Sequence, residues 1–208
     1  MIYKRYPVLE SCRPAIDDAT AALVRCFETG GKLLVCGNGG SCADSDHIVG
    51  ELMKGFLSRR PVDEKLTEEL KKIGIMTSEA VDMTKKLQGA LPAISLSSQT
   101  ALLSAFANDV DPEMVYAQMV LGYGRPGDLL LCLSTSGNSR NVIAAAKIAK
   151  AIDLTTVAMT GEAESALSRL CDITIRVPET ETYKVQELHL PVYHNLCMRV
   201  EEHFFVKK

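Results

Sequence analysis

Five short apolar runs constrain this 208-residue chain more than any other feature: KLLVCG (32–37), PAISLS (92–97), DLLLCLS (128–134), TTVAMTG (155–161) and DITIRVP (172–178). They barely alternate between apolar and polar residues, which is the pattern of strands buried on both faces. Helix-like segments separate them, notably NVIAAAKIAKAI after the third run and SALSRL after the fourth. Strand, helix, strand in repeating order predicts an α/β fold, a parallel sheet covered by helices. Ahead of the first run, residues 8–29 carry apolar side chains at helical spacing, with Pro14 marking a start or a kink. After the last, residues 186–205 (QELHLPVYHNLCMRVEEHFF) are helical in pattern apart from Pro191. The apolar faces of these terminal helices fit packing against a partner chain, or equally the covering of the sheet.

The remainder of the chain adds boundaries. With 47% hydrophobic and 24% charged residues it reads as an ordinary globule, so residues 1–208 are taken as a single domain. Residues 57–90 are densely charged and poor in bulky apolar groups, which predicts a solvated helical insertion, with a lid over a nearby site as the alternative. A formal charge of −3 supplies no broad basic field, so direct nucleic-acid binding is not expected and a small ligand is. The seven cysteines form no C-x-x-C pair and several sit inside apolar runs, as buried thiols of a reducing compartment do. No segment approaches the roughly 18 apolar residues of a membrane span. The expectation is a cytoplasmic protein without a membrane partner.

Two polar loops directly follow strands. In the first, Gly37-Asn38-Gly39-Gly40-Ser41, backbone N–H groups at a helix start can converge on an anion. Position 42 is Cys where a dinucleotide fingerprint needs its third glycine, and no Gly-Lys-Ser/Thr follows, so no nucleotide cofactor is expected. The second loop, Ser134-Thr135-Ser136-Gly137-Asn138-Ser139, offers four hydroxyls where a helix cap needs one. That surplus, with the helix dipole, suits a phosphate. Both loops lie at the carboxyl ends of strands, where ligands of parallel sheets collect.

His47 and Glu51 are four residues apart, hence about 40° apart on one helix face, one turn along. That helix is launched from the first glycine loop. In the C-terminal segment Gln186 and His194 are separated by about 80° and roughly 12 Å on an ideal helix, an awkward pair for gripping one atom. His189 and His203 look like ordinary amphipathic-helix residues.

CGNGGS, His47-x-x-x-Glu51-Leu, Ala107-Asn108-Asp109, STSGNS and Gln186-Glu-Leu-His-x-x-x-x-His194 together resemble the sugar isomerase (SIS) domain family, closest to the phosphoheptose isomerases, over nearly the whole chain. Those enzymes convert sedoheptulose 7-phosphate to a glycero-manno-heptose 7-phosphate. The resemblance implies a flavodoxin-like sheet of five parallel strands, a homotetramer and active sites built between subunits. It matches Ser41, Ser134, Thr135, Ser136 and Ser139 to phosphate-binding hydroxyls and Asn38 and Asp109 to sugar-contacting positions, beside the Gly39–Gly40 backbone. It matches Glu51 and His194 to the acid-base pair, and His47, Glu51, Gln186 and His194 to positions that hold zinc in some members. Three departures stand out: Gly55 where the family has Arg four residues past the glutamate, with Lys54, Arg59 and Arg60 near; Tyr183 in place of an acidic residue; and the long 57–90 insertion. The same fold also serves non-catalytic sugar-phosphate sensors and a replication-initiation adaptor branch, which lacks the glutamate and final histidine, and the three departures leave an isomerase of another phosphosugar as a further alternative.

Aldose-ketose isomerisation moves a proton between adjacent carbons through an enediol, so one group must handle carbon and another the oxygens. Glu51 is expected as the base and His194 as the acid, on a phosphorylated sugar substrate.

Overall fold

In the computed structural model, which describes residues 2–206, all five apolar runs are strands: β1 (Leu33–Gly37), β2 (Ala93–Ser95), β3 (Leu129–Leu133), β4 (Thr155–Thr160) and β5 (Ile173–Arg176). They form one sheet, all parallel, in the order β2-β1-β3-β4-β5. Every residue of β1 and β3 is buried, which is why neither run alternates in polarity.

The period of two appears instead in which layer each side chain enters. Leu33, Val35, Leu129, Leu131 and Leu133 pack with helices α2 (Arg13–Glu28), α3 (Gly40–Met53) and α10 (Thr182–Phe205). Leu34, Cys36, Leu130 and Cys132 point the other way, into α7 (Val115–Tyr123) and α8 (Arg140–Ala151). A short α1 (Ile2–Arg5) and a 3-10 turn (Pro7–Cys12) precede α2, and Pro14 stands in the first turn of α2, where its missing N–H costs nothing. Helix α10 runs on through Pro191.

The 57–90 segment holds α4 (Glu64–Lys72) and α5 (Thr77–Lys86), in which Ala80 alone is buried. Between β2 and β3 lies α6 (Thr100–Asp109), with no buried residue, and α9 (Ala166–Leu170) precedes β5. No helix among the described residues is long and apolar enough to cross a membrane.

Because β1 has β2 on one side and β3 on the other, the winding of the chain reverses between β1 and β3. The two polar loops emerge from those two strands, at the place where loops of a doubly wound sheet diverge and leave a crevice.

Candidate active site

The first loop is shaped by its glycines. Gly39 has φ of 55°, which L side chains disfavour, and a Cβ on Gly40 would lie 2.5 Å from Nε2 of Gln186. Gln186 therefore lies directly on the backbone of the loop. Asn38 and Asn141 exchange two amide hydrogen bonds of 2.9 Å each, tying the first loop to the helix that follows the second. In the second loop Ser134 and Ser139 hydroxyls meet at 2.9 Å, and the Ser136 hydroxyl accepts from the Asn138 amide. Ser41 and Ser134 are buried, Thr135 and Ser139 partly so, and Ser136 is exposed. The N-termini of α3 and α8 open here side by side, so two helix dipoles favour an anion at the same crevice.

Asp109 closes α6, exposed, and accepts from Asn108. No hydrogen bond among the described residues links it to either loop.

Below the first loop, α3 lies against α10. His47 Nε2 is 3.3 Å from Glu51 Oε1, and Lys54 Nζ donates to Glu51 Oε2 at 2.8 Å. The His47 and His194 rings meet edge to face with centroids 5.0 Å apart, and Phe56 packs on His194 at 5.3 Å. Residues 47, 51 and 194, far apart in the chain, thus share one neighbourhood. Burial and then the adjacent His47 push the His194 pKa down, against a smaller upward pull from Glu51, so its ring is held neutral. Its Nε2 is buried without a partner.

The structure does not support the zinc that the resemblance implies at His47, Glu51, Gln186 and His194. The ligand types suit the metal. Yet among the described residues no group of three or more His, Cys, Asp or Glu side chains is arranged to hold one. Lys54 pairs with Glu51, and Gln186 lies against Gly40, two turns of an unbroken α10 ahead of His194.

Several residues escaped the sequence reading. Tyr193, almost fully buried, places its hydroxyl 2.9 Å from His47 Nδ1 and 3.1 Å from Asp44 Oδ1. Burial raises the pKa of Asp44, and burial with the nearby Asp44 charge raises that of Tyr193. Arg60, fully buried, donates to Glu201 and to the carbonyls of Glu51 and Leu52, the orphan acceptors at the end of α3. Glu201 in turn accepts from the amides of Phe56, Leu57 and Ser58. This clamp fixes the turn that follows α3, the helix in which Glu51 stands one turn from the end. It also explains Gly55, where any Cβ would collide with the Ser58 carbonyl, and it leaves Lys54 to supply the cation beside Glu51. Tyr183 is exposed at the start of α10 with Lys184 over its ring. His189, read from the sequence as an ordinary amphipathic-helix residue, is fully buried on the inner face of α10.

Two SIS domain family models match the chain, over residues 6–88 and 88–204. A phosphoheptose isomerase of Rhodospirillum rubrum is 34% identical over 194 residues, covering 93% of this chain and 88% of that protein. Solved structures are similar too. A phosphoheptose isomerase from Francisella tularensis superposes with a TM-score of 0.77 at 29% identity over 97% of this chain and 92% of that one. One from Neisseria gonorrhoeae gives 0.70 at 30% identity over 90% and 86%.

Proposed function

Because the chain belongs to the SIS domain family and is an isomerase of the phosphoheptose isomerase kind, we propose that it interconverts sedoheptulose 7-phosphate and D-glycero-D-manno-heptose 7-phosphate through an enediol. The observation that carries this reading is the meeting of Glu51 and His47, on the helix that begins at the glycine loop, with His194 of α10.

In this reading the phosphate enters the crevice between the two loops. Backbone amides of Gly39 and Gly40 and the hydroxyls of Ser41, Ser134, Thr135, Ser136 and Ser139 donate to it, and the two helix dipoles add attraction without any lysine or arginine. Asn38, Asp109 and Gln186 contact the sugar. Glu51 removes the proton from the carbon beside the carbonyl. Lys54 keeps one carboxylate oxygen occupied, leaving Oε1 for the reaction. A neutral imidazole is a sufficient donor to a developing enediolate oxygen, and His194 supplies that proton to the carbonyl oxygen. The protonated Glu51 then returns its proton to the neighbouring carbon while the hydroxyl that becomes the new carbonyl gives its proton to His194, so both groups end the turnover as they began. No step is routed through a metal.

The same reading treats residues 1–208 as one SIS domain with 57–90 as a surface insertion, assembled as a homotetramer with sites between subunits. It is supported by α6, which has no fully buried residue: Leu102 is exposed, and Leu103 and Phe106 pack only partly against the core. It is further supported by the 370 Å³ cavity that His194 lines with Tyr6, Leu190 and Met198, open for a neighbour to complete.

The decisive assay offers a panel of phosphorylated ketoses and aldoses in deuterated water. The expected result is turnover of the heptose phosphate with deuterium at the transferred position, falling about 10²- to 10⁴-fold in Glu51→Gln. Absence of turnover by the parent on heptose, hexose and pentose phosphates alike would overturn the proposal.

A further inference from the structure

The base and the acid of the site stand on different helices, Glu51 on α3 and His194 on α10, so their separation depends on how the two helices are seated against each other. Ile48 and Leu52 of α3 share one apolar layer with Val192 and Leu196 of α10. Apolar burial is non-directional, and it holds two helices together without fixing how far one has slid along the other. Hydrogen bonds, which demand both distance and angle, can fix it.

Arg60 supplies such a node. Fully buried, it spends each guanidinium nitrogen on a different group: Nε donates to Glu201 Oε1 at 2.8 Å, Nη1 to the Leu52 carbonyl at 2.6 Å and Nη2 to the Glu51 carbonyl at 3.0 Å. The guanidinium also lies over the Phe205 ring, 4.7 Å from its centroid, which gives it a second hold on α10. Glu201 is seven residues past His194, hence about 20° around and roughly 10 Å along the same side of that helix. Its carboxylate also accepts from the Phe56 amide at 2.7 Å, and the Phe56 ring packs on His194. One ion pair thus grips the main chain of the base, the helix of the acid and the ring that rests on the acid. A buried ion pair is seldom more stabilising than apolar residues of the same volume. What it adds here is register.

We propose that Arg60, clamped by Glu201, is a positioning residue of the isomerase site: it sets the register of α3 against α10 and so the separation of Glu51 from His194. The phosphate crevice lies at the other end of α3, a 14-residue helix about 20 Å long, so loosening the node slows the chemistry without weakening the hold on the phosphate. The kinetic consequence rests on the isomerase reading above; the register itself does not.

The test is Arg60→Lys, which keeps a positive charge but cannot span the three acceptors, beside Glu201→Gln, which keeps the shape and removes the charge. Phe205→Leu is a milder third variant that withdraws only the ring beneath the guanidinium. Met119→Ala, a buried position of α7 on the far face of the sheet, controls for lost stability alone. All are assayed on the phosphoheptose at a temperature where circular dichroism shows each to be folded. Arg60→Lys and Glu201→Gln are expected to lose kcat about 10- to 100-fold while KM stays within about threefold, Phe205→Leu to lose less in the same direction, and Met119→Ala to keep parental kinetics. In proton spectra at one pH, the His194 ring signals, assigned through His194→Asn, are expected to move in the three node variants and to stay in place in Met119→Ala. A kcat within about twofold of the parent in the folded node variants, a KM that rises as far as kcat falls, or an equal loss of kcat in Met119→Ala overturns the proposal. A parent that turns over no sugar phosphate defeats the functional reading alone; unmoved His194 signals in the node variants then overturn the register as well, and moved ones uphold it.

Discussion

His189 is the clearest place to test the energetics of this fold. It sits on the inner face of α10 with no exposed surface, and its ring nitrogens make no well-formed hydrogen bond, only a weak approach to the main chain at Thr160. Burial lowers its pKa to about 4, with the main chain at Thr160 pulling weakly the other way. In the unfolded chain the same ring titrates near 6.5. Between those values the unfolded state takes up a proton that the native state refuses, so stability falls as pH drops from about 6.5 toward 4. Integrating the difference from pH 7 to pH 5 gives a loss of about 2 kcal/mol, or roughly 4–8 °C in melting temperature for a chain of this size. Replacing His189 by Leu removes the titration and the two orphaned nitrogens together. Exchanging an unsatisfied buried polar group for an apolar one of similar size is neutral or favourable. His189→Leu should therefore match or exceed the parent at pH 7 and lack this component of the pH slope. Urea titrations of both proteins at pH 5, 6 and 7, at one fixed protein concentration, measure the difference directly, since groups such as Asp44 and His194 contribute alike to both. Parallel slopes for parent and variant, or a variant more than about 1 kcal/mol less stable at pH 7, would refute the reasoning.

Glu201→Ala strands the Arg60 guanidinium and three amides in the interior, and should cost about 3–5 kcal/mol in urea unfolding; a loss under about 1 kcal/mol would mean the clamp is not formed. Gly40→Ala pushes a methyl into Gln186 and re-aims the first loop, lowering kcat/KM for the sugar phosphate about 10- to 100-fold with an unchanged circular dichroism spectrum. Parental kinetics in that variant would separate Gln186 from the site.

Strands were legible because an unbroken run of Leu, Val and Cys is what burial on both faces demands, and all five runs appear as strands within a residue or two of their ends. The two loops were legible for a related reason: glycine and serine are concentrated where the backbone must approach something closely. Helices α6 and α7 were not read at all. Thr100–Asp109 buries nothing, so its apolar residues keep no clean periodicity against a core, although VYAQMVLGY has enough apolar residues to have been counted. The zinc set rests on residue types, which can be matched along a chain while their distances cannot; the structure pairs Lys54, one residue from the position where the resemblance expects a cation, with Glu51. Tyr193 and Asp44 carried no signal beyond their spacing from His194 and His47. Their pairing depends on the register of α3 against α10, which only the packed structure sets. Arg60 and Glu201 lie 141 positions apart and look like two of many surface charges until both are seen to be buried.

The clamp around residues 55–58 bears on how such a chain can change over generations. With the Glu201 carboxylate drawn up beneath three consecutive amides, position 55 is closed to every amino acid but glycine, and an ancestor or descendant carrying arginine there must first abandon that carboxylate. Abandoning it maroons Arg60. The three positions are therefore coupled, and substitutions at 55, 60 and 201 are expected not to add independently.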